Sequence, residues 1–111
     1  MVARTAYRDI IESVLREYTR IPYAYGDLQT EAVFDRERDR YLLVIVGWDN
    51  RLRVHSCLVH IDLLGEKVWI QQDNTEDGVA TELVRAGIPK EQIVLGFRPP
   101  EVRPYTDYAV A

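Results

Sequence analysis

The sequence predicts an α+β fold: an N-terminal helix, a four-stranded antiparallel meander, a second helix, a short strand and an extended C-terminal tail. Three observations carry this. One apolar stripe at helical spacing runs from Tyr7 to Tyr18. Four strand-like runs follow, joined by connections of two or four residues. Connections that short force antiparallel neighbours, because a parallel pair needs a crossover of about a dozen residues or more. A second apolar stripe, Val79 to Val84, stops at Gly87 and Pro89. The 111 residues are expected to form one domain, 1–111, with both helices on one face of the sheet.

In the first helix, Tyr7, Ile10, Ile11, Val14, Leu15 and Tyr18 share the apolar face. Thr5 is the expected N-cap and Pro22 marks the end. Arg8, Glu12 and Arg16 follow at i+4 spacing and read as a solvated ion-pair ladder on the opposite face. Tyr23 to Asp27 is a connector.

The first strand is expected over Leu28 to Asp35, with Arg36 to Asp39 as an all-charged turn. The second, Tyr41 to Trp48, is apolar on both faces, which suits a covered central strand or a subunit interface. Asp49-Asn50 forms the next turn. The third strand, Arg51 to Leu63, changes parity: Leu52 and Val54 are even, whereas Val59, Ile61 and Leu63 are odd. That switch predicts a β-bulge near Ser56 or Cys57. Gly65-Glu66 turns into the fourth strand, Lys67 to Gln72.

Asp73-Asn74-Thr75 is expected to cap a second helix over Glu76 to Ala86. Ile93 to Leu95 is a short apolar run. Pro99, Pro100 and Pro104 predict an extended first half for the tail that follows.

Composition excludes several function classes. The lone cysteine, Cys57, rules out an internal disulfide and suits a reducing compartment. The first residues lack a signal-peptide core, and no apolar run approaches about 18 residues, so a cytoplasmic, non-membrane protein is expected. A net charge of −4 argues against strong autonomous DNA binding, where phosphate neutralisation supplies most affinity. All cationic residues except Lys67 and Lys90 are arginines, a bias that suits bidentate contacts and interfaces.

Catalytic and metal chemistry have little to build on. Alternation along the third strand places His55 and Cys57 on one face and His60 and Asp62 on the other. Neither pair supplies the three or four convergent ligands that zinc needs. Asp73, Thr75, Asp77 and Gly78 match the opening of a calcium loop, but the position for its bidentate glutamate holds Val84. Cys57 lacks the orienting partners of an activated nucleophile. No cofactor, metal or catalytic centre is therefore expected. A small hydrolase using His60, Asp62 or Asp73 is the least supported reading.

The aromatics and arginines carry more. Tyr23, Tyr25, Trp48, Trp69, Tyr105 and Tyr108 flank turns or lie in the tail. Such side chains close a small core, anchor a protein partner or stack on single-stranded nucleic acid. Tyr41, Trp48, Trp69, Tyr105 and Tyr108 are the candidate partner interface. Arg36, Arg38, Arg40, Arg51 and Arg53 are the alternative nucleic-acid contacts, if the hairpin ends bring them together. Asp35, Glu37, Asp39 and Asp49 dilute that patch.

The stretches Phe34 to Tyr41, Gly47-Trp48, Arg53-Val54, His60-Ile61-Asp62, Trp69 to Ala80, Gly87-Ile88-Pro89 and Ile93 to Phe97 occur in one order along the chain. Together they resemble the XisI-like family, the fdxN-element excision controlling factor proteins. The resemblance implies an α+β domain of cyanobacterial type. It also implies a non-enzymatic accessory protein that controls site-specific excision of a DNA element while a separate recombinase cuts. Family genes travel with XisH-like genes, whose products resemble nucleases. The implied partner is an XisH-like protein, with DNA reached directly or through it. A homodimer and a direct DNA-binding directionality factor are the alternatives.

Overall fold

The computed structural model describes residues 2–22 and 27–111. The expected connector, with Tyr23 and Tyr25, lies outside the described residues apart from Asp27. Helix α1 spans Val2–Thr19. Strands β1 (Asp27–Asp35), β2 (Arg40–Asp49), β3 (Leu52–Leu64) and β4 (Lys67–Asp73) follow. Helix α2 (Val79–Arg85), strand β5 (Ile93–Leu95) and a short 3-10 turn at Arg103–Tyr105 complete the chain.

The fold class is α+β, as predicted, but the sheet has five strands in the order β1-β2-β3-β4-β5 rather than four. β1 to β4 are antiparallel neighbours. β5 joins in parallel, pairing Val68 with Ile93 and Ile70 with Leu95. The passage through α2 supplies the crossover a parallel pair requires. Ile93, Val94 and Leu95 are all buried, which fits a strand with both faces covered.

The core lies between the sheet and the two helices. Tyr41, Leu43, Val59, Ile61, Leu63, Val68 and Ile70 face Ile11 and Leu15 of α1 and Val79, Ala80 and Leu83 of α2. β3 has 13 residues, about 43 Å at strand rise, against about 27 Å for the 18 residues of α1. The sheet therefore outruns its helical cover at the β2–β3 hairpin, where Leu52 is 68% exposed.

Several boundaries depart from the sequence reading. Thr5 lies inside α1 and is not its N-cap. The two-residue turn is Asn50-Arg51, with Asn50 in the left-handed region at φ 58°. α2 starts three residues late, because Gly78 has φ 87° and cannot continue a helix. Asp73 still caps across that loop: its carboxylate accepts the Val79 N–H at 2.7 Å and the Thr75 N–H at 2.9 Å. The first half of the tail is made of turns instead of an extended segment. Pro104 sits in the opening of the Arg103–Tyr105 turn, where its missing N–H costs nothing. The tail then folds back on the sheet, with the Ala109 N–H donating to the Ile93 carbonyl at 2.8 Å.

The ladder on α1 is not a free solvated face. Glu12 is buried and accepts from Arg36 of the β1–β2 turn at 2.7 Å and from Arg16 at 3.3 Å. Arg8 and Arg4 bind Asp39 of the same turn instead of Glu12. Asp39 is 3% exposed, has φ 55° and also accepts from the Tyr41 hydroxyl at 3.0 Å. The Arg8 hydrogen bond, with help from Tyr41 and Arg4, holds its carboxyl down to about 2. Burial and the adjacent carboxylate push the Tyr41 phenol well up. The all-charged turn is thus pinned to α1 by ion pairs.

Candidate partner-binding face

The face of β1, β2 and β3 that points away from the helices is built by one backbone irregularity. Leu43 pairs with Val59, but Val44 pairs with Cys57, so Leu58 is an extra residue in β3. This is the bulge the parity switch predicts, one residue beyond Cys57. Its consequence is larger than simple alternation allows. Past the bulge, His60 and Asp62 return to the same face as His55 and Cys57, opposite Leu42 and Arg40. The two pairs expected on opposite faces therefore share one.

On this face β2 presents Leu42, Val44, Val46 and Trp48, flanked by Val33, Glu31 and Gln29 of β1. On the other flank are His60, Cys57, His55 and Arg53 of β3. Trp48 is 48% and Val33 50% exposed, and Leu42, Val44 and Val46 are half-buried. Among the described residues, neither helix lies over this row. The apolar strip is continuous along the strand, which is the pattern of an interaction surface and not of scattered surface residues.

The polar groups on the face are organised around Asp62. His60 Nε2 lies 2.8 Å from Asp62 Oδ1, Gln71 donates to Oδ2 at 3.2 Å, and Arg40 Nε is 3.4 Å from Oδ1. Asp62 is buried, so these partners supply the hydrogen bonds its carboxylate would otherwise lose. Cys57 donates its S–H to the Val59 carbonyl at 3.3 Å, and burial pushes the thiol up, away from the reactive thiolate. Asp73 is occupied with capping. Among the described residues, no group of three His, Cys, Asp or Glu side chains could hold a metal ion.

The predicted interface residues separate. Tyr41 is fully buried and belongs to the core, so it cannot meet a partner. The reason is its odd position in β2, which shares the helix side with Leu43. Trp48 is on the open face under the Arg53 guanidinium, 5.2 Å from its ring centre. Trp69 is half-buried beneath Arg103 of the tail at the same distance. Tyr108 packs against the core, and Tyr105 is 89% exposed.

The arginines do not form one patch. Arg36, Arg38 and Arg40 sit at the β1–β2 end, and Arg51 and Arg53 at the other end of β2, about 30 Å away by strand rise. Arg36 is held by Glu12 and Asp9, which raise its pKa, and Arg38 by Asp35. An open groove of about 360 Å³ lies on the helix side, lined by Tyr18, Thr30, Leu58 and Thr75 among others. Sequence reasoning missed it, because its walls come from four separate elements.

The comparisons agree with this architecture. The model of the XisI protein family matches residues 1–110. A solved XisI-like protein from Anabaena variabilis is 36% identical with a TM-score of 0.88, the match covering 97% of this chain and 99% of that one. The solved fdxN element excision controlling factor XisI from the same organism is 31% identical with a TM-score of 0.83, covering 98% of this chain and 99% of that one. No curated protein matches the sequence. The chain belongs to the XisI family.

Proposed function

We propose that this chain is a non-catalytic accessory protein controlling site-specific DNA rearrangement, and that it acts by binding an XisH-like protein through the open face of its sheet. The observation that carries this is the strip Leu42, Val44, Val46 and Trp48, left without a helical cover on an otherwise well-packed fold. The likeness to an excision controlling factor over nearly the whole chain supports the excision role. The charge balance supports a protein partner over direct DNA contact. Arg36 and Arg38 are neutralised by the chain's own carboxylates, and Arg53 stacks on Trp48.

Light scattering on a sizing column tests it, with the chain alone and mixed with an XisH-like protein from the same source. A stable hetero-complex is expected, reduced by Val44→Glu. A chain that ignores that protein contradicts the reading. A salt-dependent shift on duplex DNA by the chain alone would favour the directionality-factor alternative.

A further inference from the structure

The two edges of the sheet are treated differently. The β5 edge is three residues long and is already occupied by the chain's own tail, through Val94 and Ala109. The β1 edge runs nine residues, Asp27–Asp35, in unbroken register with β2 and with no bulge, proline or lysine. Bulges, prolines and charges, lysine above all, are what usually blunt an edge, and of these β1 carries only acidic charge. Among the described residues, no backbone group bonds to its outer side. It is a template about 30 Å long for one more strand.

The side chains say which strand. Asp27, Gln29, Glu31, Val33 and Asp35 point to the open face, and β1 carries no cation. A second copy pairing antiparallel in full overlap would set Asp27 against Asp35 and Glu31 against Glu31. Like charges directly opposite are destabilising. A strand with cations opposite Asp27 and Glu31 would gain at both, whereas Asp35 already accepts from Arg38 of the adjoining turn. We propose that the β1 edge takes an extended segment of a partner protein as a sixth strand, one with basic residues four positions apart facing Asp27 and Glu31. Such a strand would continue the apolar strip of β2 across Val33, so edge and face form one surface. The inference rests on the accessory reading and deepens it.

The test uses the full chain, isotope-labelled, and a nine-residue probe peptide of sequence KVTVKVTVK. Titration followed by amide chemical shift and hydrogen exchange should show shifts and added protection within Leu28 to Phe34. Glu31→Lys should weaken the peptide roughly two- to five-fold, the size of one cross-strand charge pair. A peptide with glutamate at its central lysine should recover that loss. Shifts confined to other surfaces, no binding by the basic peptide, or self-association of the chain along β1 would overturn the proposal. If Glu31→Lys leaves a hetero-complex with the XisH-like protein undiminished, the edge proposal fails while the accessory reading stands. If no hetero-complex forms at all, the accessory reading fails and the peptide alone judges the edge.

Discussion

The two faces of β2 are built from similar side chains and lie in opposite surroundings. Tyr41 and Leu43 are fully buried beneath α1, whereas Leu42, Val44 and Val46, one residue out of phase, lack such a cover. Apolar composition therefore does not decide what a residue does here. Which side of the pleat it occupies does. The helix side should carry folding stability and the open side recognition.

Substitutions on the helix side should have the largest effects. Leu43→Ala or Ile61→Ala should cost about 2–5 kcal/mol, because each leaves a cavity in a fully buried site. Chemical denaturation measures this. Asp39→Ala should cost about 2–3 kcal/mol, as it removes charged hydrogen bonds to Arg4 and Arg8 and leaves the Tyr41 hydroxyl without its acceptor.

Asp39 also gives a pH signature. Its carboxyl is lowered from 3.8 to about 2 in the folded chain. A depressed carboxyl contributes its stability in full above the unfolded value and loses it as pH falls through the folded one. Roughly 2 kcal/mol should disappear as pH falls from 3.8 to about 2. Asp39→Asn should be less stable near neutrality and show a flatter profile across that window, as followed by denaturation at successive pH values.

The open face should tolerate substitution with little loss of stability. Val44→Glu and Trp48→Ala on the open face should change stability by about 1 kcal/mol or less, since neither position is fully buried; for Val44→Glu part of that change is the new carboxylate set opposite Glu31. Trp48→Ala should nevertheless cost a partner about 2 kcal/mol or more of binding, the usual loss for an aromatic anchor. Calorimetry with the XisH-like protein reads that loss.

Much of the fold was legible from local signals. The stripe Tyr7 to Tyr18, the short turns and the parity switch in β3 are all properties of neighbouring residues. What was not legible depends on contacts distant in sequence. Ile93 to Leu95 is too short to declare its pairing, and it becomes a fifth strand only because β4 lies beside it. Glu12 looked solvated because nothing in α1 announces that Arg36 will reach it from 24 residues away. The site shows the same limit. The bulge was visible in the pattern of Leu52, Val54, Val59 and Ile61, yet carrying its shift through to His60 and Asp62 was needed to place four polar residues on one face. Tyr41 and Trp48 both read as interface aromatics, and only the pleat separates them.

An open face that recognises a partner, beside a helix face that holds the fold, makes Val44→Glu the variant to examine, with its unfolding midpoint and its affinity for the XisH-like protein measured on the same preparation. The midpoint should stay close to that of the parent chain while binding falls below detection. A variant that unfolds early, or one that binds as tightly as the parent, would contradict that division between the faces.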